Sequence, residues 1–217
     1  DNTERNEAFS VLFEHLENEQ LKSTASRLFN YLYRTQKRSL DHLQKVSVYQ
    51  VQQYMKIDYF SKRNLELTET IRSTAKKGTL LWLLDETMTA MGGRMLKQWI
   101  NRPLIDQAEI SRRQELVQLL VGKFFERQEL REKLKEVYDL ERLAGRVAFG
   151  NLNPRDLMQL KRSLLQVPSL KHILESLPHE EAARMADRLD PCEEAADLLE
   201  QAIVDNPPIS VKEGNII

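Results

Sequence analysis

Apolar residues recur at helical spacing along most of this chain, and the interruptions mark where its elements begin and end. Phe9, Leu12, Phe13 and Leu16 predict an opening helix, and Leu21, Ala25, Leu28, Phe29 and Leu32 predict a second. Thr35 to His42 is polar and reads as a linker. Val46, Val48 and Val51 then alternate with polar neighbours, which predicts a short strand or extended arm. Leu80, Leu81, Leu83 and Leu84 form a short apolar face, with Thr79 placed to cap it. Met91, Met95, Leu96 and Trp99 form the next. Trp99 is expected to be largely buried in a hub with Trp82, Met95 and Leu96. Gly92 and Gly93 weaken a helix, so another backbone is expected to approach them closely. Arg102 precedes Pro103 and is pushed out of the α region, so that helix should stop near Asn101.

The remaining pattern is helix after helix. Asp106 with Glu109 makes a capping-box pattern ahead of Ile110, Leu116, Val117 and Leu120. Leu130, Leu134 and Val137 define the next face, and Leu140, Leu143 and Val147 the one after. Asn153 and Pro154 supply a cap and a first-turn proline ahead of Leu157, Leu160 and Leu164. Asp190 and Pro191, with Glu193 and Glu194, repeat the device ahead of Leu198, Leu199 and Ile203. Ile209 to Ile217 carries two β-prone runs around Glu213-Gly214-Asn215, a hairpin with a short second arm. The prediction is an all-α, multihelical, elongated lever-type domain with a short extended segment and a truncated terminal hairpin.

Composition narrows the function classes. In 217 residues, 32 basic side chains meet 33 acidic ones, so the chain lacks the cationic excess of a dedicated nucleic-acid module. The single cysteine, Cys192, excludes an intramolecular disulfide and fits a reducing, cytoplasmic setting. No run approaches the roughly 18 apolar residues of a membrane span. The chain opens on Asp1 and reads as an excised piece of a longer protein.

Candidate catalytic chemistry is sparse. Gly145 and Gly150 have the spacing of two P-loop glycines, but Asn151 and Leu152 stand where Lys and Ser or Thr would hold phosphate and magnesium. Two glycines at a helix end explain them better. His172, His179 and Cys192 lack zinc-ligand spacing, and His15 and His42 are isolated. The pairs Glu180-Glu181 and Glu193-Glu194 diverge on a helix and suit helix starts rather than acid–base work. Among the basic doublets, Lys76-Lys77 beside Gly78 is the candidate phosphate contact. The residues therefore assign no catalytic group, no metal ligand and no cofactor-binding residue.

Three runs resemble the central domain of the MutS family of mismatch-repair proteins. They are Arg63-Asn64-Leu65-Glu66-Leu67; Met91, Gly92, Arg94, Leu96 and Trp99 with Pro103 and Leu104; and Asp139-Leu140-Glu141-Arg142 with Asn153-Pro154-Arg155-Asp156-Leu157. The resemblance implies that residues 1–40 are the last helices of a connector domain and that 41–217 are the first segment of the central core or lever domain. It implies a structural and allosteric lever in a DNA mismatch-recognition protein, linking the mismatch-binding and clamp domains to the ATPase. A DNA-backbone-binding helical module is the alternative reading. The whole protein would use ATP and magnesium, enclose mismatched duplex DNA as a homodimer and work with MutL. Arg142 and Arg155 are expected to pack helices together through ion pairs to residues such as Asp139 or Asp156. The central domain's second stretch is not in this sequence, so the helices Leu157 to Val167 and Ala195 to Val204 are expected to bare apolar stripes. Self-association or a mobile C-terminal third would follow.

Overall fold

The computed structural model describes Leu16, residues 18–36, Leu43, Val46, residues 53–208 and Gly214. The chain divides into two compact units, Asp1–Val51 and Gln52–Ile217. The opening helix, the extended arm at Val48 and Val51, and the terminal hairpin lie outside the described residues.

In the first unit, α1 spans Glu19–Gln36. Asn18 accepts the amide of Gln20 at 2.8 Å and so caps its start. Phe29 and Leu16 are buried together, with Ala25, Leu43 and Val46 packed against them. Leu21 and Leu28, expected on that face, are exposed instead. The helix buries a narrow stripe centred on Phe29 rather than the wider one its sequence offered.

Among its described residues the second unit's regular structure is helical, joined by turns and loops, with one antiparallel bridge between Tyr54 and Leu104. Its helices are α2 (Tyr59–Asn64), α3 (Leu80–Leu84), α4 (Ala90–Asn101), α5 (Gln107–Gly122), α6 (Phe124–Lys135), α7 (Leu140–Phe149), α8 (Pro154–Ser176), α9 (Glu180–Asp187) and α10 (Glu193–Ala202). Caps stand where the sequence signals placed them at Thr79, Asp106 and Asn153, while Thr89 and Asp139 cap without having been singled out for it. Thr79, Thr89, Asp106 and Asp139 each accept an amide from the first turn of α3, α4, α5 and α7. Asn153 and Asp156 form a reciprocal capping box with Pro154 at the start of α8. Asp190 does not cap α10. Cys192 holds that place with a φ of +49°, and Asp190 accepts the Cys192 amide at 2.9 Å.

Helix α8 is the spine on which α6, α7, α9 and α10 pack. Its 23 residues span about 35 Å at 1.5 Å per residue. The helix runs past Val167, where its apolar pattern was expected to end, and through Pro168. An interior proline costs roughly 3 kcal/mol. Beyond it Leu170 and Ile173 are buried on the same face as Val167, at about 1.5–3 kcal/mol each, and burial wins. The stripes expected to be bare on α8 and α10 are also largely covered: Met158, Val167, Ala196 and Ile203 are buried, while Leu165 and Leu198 remain exposed.

Further exposed apolar side chains lie on α3 to α6. Leu83, Leu84, Trp82, Met95, Val117, Val121 and Phe125 all face outward. Trp99 is 43% exposed, against the expectation of burial. Its ring is covered on one face by the Arg113 guanidinium of α5, whose carbon lies 3.7 Å from a ring centroid. Helix α4 packs directly on the five-residue α3, which is too short to wrap the Trp99 side.

Gly145 lies inside α7, where an added methyl would meet no neighbouring atom within 4 Å, whereas Gly150 ends α7 in the left-handed region at φ +67°. This is helix-terminus chemistry, not a phosphate loop. Gly145→Ala should therefore stabilise the chain by about 0.5–1 kcal/mol, and Gly150→Ala should destabilise it by about 1 kcal/mol. Urea denaturation of the two variants measures both signs.

Candidate functional site: an ion-pair junction between helices

Two of the sequence runs singled out above meet in space. Arg94 leaves the first half of α4, and Asp139 stands at the start of α7. The guanidinium grips the carboxylate with two parallel bonds, Nη1 to Oδ2 and Nη2 to Oδ1, both 2.7 Å. Its Nε also donates to Glu141 Oε2 at 3.1 Å. Asp139 at the same time accepts the backbone amide of Arg142, closing the first turn of α7, and lies 3.4 Å from the Arg142 Nε. One carboxylate thus caps a helix and anchors another helix 45 residues away.

The electrostatics follow from that geometry. The Asp139 side chain is 18% exposed, and hydrogen bonding to Arg94 lowers its pKa from 3.8 to about 2 against the opposing effect of burial. The Asp139 and Glu141 carboxylates raise the Arg94 pKa still further, keeping it charged.

A second junction lies at the other end of α7. Arg146 pairs with Asp156, a buried carboxylate already committed to the α8 capping box. Leu143 is buried midway between the two ends. Helix α7 is therefore fastened to α4 at its start and to α8 at its end. Farther along α8, Lys161 is 5% exposed and reaches Glu200 of α10 at 2.7 Å. Ser163 Oγ is buried, donates to Gln159 O and accepts the Tyr138 amide at 2.9 Å.

The neighbouring motif residues shape the backbone. Arg63 and Asn64 end α2, and Glu66 follows at φ +47°. The carbonyls of Glu66 and Leu67 accept the Leu80 and Leu81 amides at 3.2 and 2.9 Å, while the Glu66 carboxylate takes the Ile71 amide at 2.8 Å. Pro103 O accepts the Met55 amide at 2.8 Å beside the Tyr54–Leu104 bridge. At Gly92 the close neighbours are side chains, not the expected backbone: an added methyl would sit 3.1 Å from Thr89 Oγ1 and 3.3 Å from Thr87 Cβ.

The family model described as MutS domain III matches residues 61–217. The chain belongs to the MutS domain III family. It is 64% identical over 211 residues, 97% of its length, to the DNA mismatch repair protein MutS of Geobacillus sp. (strain WCH70). It is 65% identical over 207 residues, 95% of its length, to that of Bacillus subtilis (strain 168). The MutS of Geobacillus kaustophilus (strain HTA426) is 58% identical over all 217 residues. The chain spans 24% of the length of each of these relatives.

Within this MutS domain, the structure brings Arg94, Asp139, Glu141 and Arg142 into one cluster, with Met91 and Gly92 one turn earlier on α4. Trp99 and Pro103 lie outside it. Pro154 is buried at the start of α8, whereas Arg155 is exposed and makes no ion pair among the described residues; the partner of Asp156 is Arg146 instead. Lys76 pairs with Asp85, whose carboxyl is held below its ordinary range by Lys76 and Thr87. Lys77 is exposed beside Gly78, at φ +96°. His179 caps α9 through its Nδ1, and Cys192 is exposed. No group of three or more His, Cys, Asp or Glu residues is placed to hold a metal among the described residues, and no described helix is long and apolar enough to cross a membrane. Nothing local in the sequence marks the distant partners of Arg146 and Lys161.

Because the folded Asp139 pKa is lowered, its contribution to stability is fully present above about pH 4 and is lost as pH falls from 3.8 toward about 2. Asp139→Asn should flatten the stability profile in that window. At pH 7 the effects of Arg94→Gln and Asp139→Asn should be non-additive, the double variant losing less than the sum. Chemical denaturation across pH measures both effects.

Proposed function

We propose that this chain is the lever segment of a DNA mismatch-recognition protein, passing a conformational signal between the regions that hold mismatched DNA and a distant ATPase. The observation that carries the reading is the pair of junctions on α7. Arg94–Asp139 and Arg146–Asp156 couple α4, α7 and the 23-residue α8 into a continuous helical path. Rigid elements joined by discrete ion pairs are suited to two-state shifts over tens of ångströms. Membership of the MutS domain III family and the relatives named DNA mismatch repair protein MutS support this role.

In this reading, residues 1–40 close a connector domain and residues 41–217 form the first segment of the central domain. ATP and magnesium belong to another part of the whole protein, and this segment hydrolyses nothing. MutL, a second MutS copy and mismatched duplex DNA are partners of the whole cytoplasmic protein. The alternative of an independent DNA-backbone module draws less support, since Lys76 is already paired with Asp85 and leaves Lys77 as the free cation of the doublet.

The test uses Arg94→Gln in the whole MutS protein. Mismatch affinity should hold within about twofold while the coupling of mismatch binding to ATP turnover drops on the order of tenfold. Unchanged coupling would contradict the lever reading. The chain alone should show no saturable ATP binding by calorimetry.

A further inference from the structure

Away from the α7 junctions, a cavity of about 320 Å³ opens beside the first half of α8. Arg155, Met158, Gln159 and Arg162 line it from one helical face, spaced at i, i+3, i+4 and i+7. Tyr138 contributes one wall, and the segment Asp205–Asn206–Pro207 contributes the other. Both walls are tied to the helix from beneath. The Tyr138 amide donates to the fully buried Ser163 hydroxyl, and the buried Lys161 ammonium, paired with Glu200, lies 3.8 Å from the Asp205 carboxylate.

This arrangement is cationic where it is open. Neither Arg155 nor Arg162 has an ion pair among the described residues, although Arg94, Arg142, Arg146 and Arg184 all do. The one carboxylate in the lining, Asp205, is exposed and lies 3.8 Å from Lys161, which pairs more closely with Glu200 at 2.7 Å, so two guanidiniums stand against one carboxylate. Gln159, Asn206 and Tyr138 add neutral hydrogen-bond donors, and Met158 and Pro207 add apolar surface. The volume lies at the lower end of small-ligand sites. Two guanidiniums with neutral donors leave the lining net cationic and supply the forked donors that phosphate oxygens accept.

We propose that this cavity is a binding site for a phosphate-bearing ligand, with Arg155 and Arg162 as its charged contacts. The site lies apart from Lys76 and Lys77 and does not depend on the lever reading.

Titration of the chain with inorganic phosphate, followed by the arginine Nε–H resonances, tests the proposal. Saturable shifts should appear at Arg155 and Arg162. Arg155→Gln and Arg162→Gln should each weaken binding on the order of tenfold, as expected for the loss of a charged hydrogen-bond donor. Both side chains are exposed, so folding should persist, with an unchanged thermal midpoint as the check. Arg72→Gln, exposed and outside the cavity, should leave binding unchanged. No saturable binding, equal weakening by Arg72→Gln, or equally tight binding of glutarate would overturn the proposal.

Discussion

The bidentate grip of Arg94 on Asp139 joins two helices of the second unit that lie 45 residues apart in the sequence. A carboxylate at a helix start normally serves its own helix alone. Asp139 serves α7 through the Arg142 amide and α4 through the Arg94 guanidinium. The double use ties the start of one helix to the position of another. If α4 shifts, either the cap or the paired bonds must break. A planar guanidinium makes that constraint directional in a way an ammonium would not.

The rest of the second unit extends the same logic. Asp156 repeats the double duty at the start of α8, where it completes the capping box and takes Arg146. Lys161 shows the desolvated version. A lysine held at 5% exposure persists there because Glu200 lies at 2.7 Å, and removing such a partner leaves an uncompensated buried charge. Hydrophobic burial along Val167, Leu170 and Ile173 supplies the spine's stability. The ion pairs decide which elements the spine is joined to.

Local signals in the sequence showed most of the elements and little of their joining. Thr79, Asp106 and Asn153 announced their helices because a cap needs only the next three residues. Asp190 failed as a cap because the local backbone turned first, leaving Cys192 in the left-handed region. The α8 continuation through Pro168 was hidden because a local proline penalty is outweighed by burial that depends on other helices. Trp99 misled in the opposite sense: its helical face is apolar, but the neighbour it meets is the Arg113 guanidinium. Arg94, Asp139 and Glu141 were visible as motif residues, yet their pairing spans 45 residues and no local rule connects them. The MutS resemblance supplied the family; the contacts between its motifs had to come from the fold.

Native-state hydrogen exchange in the Asp139→Asn variant tests the central claim most directly. If the Asp139 junction couples α4 to α7, amides of both Ala90–Asn101 and Leu140–Phe149 should lose protection together, while those of α9 should keep it. Loss confined to the first turn of α7, with α4 protected as before, would show that Asp139 is only a helix cap and would contradict the account.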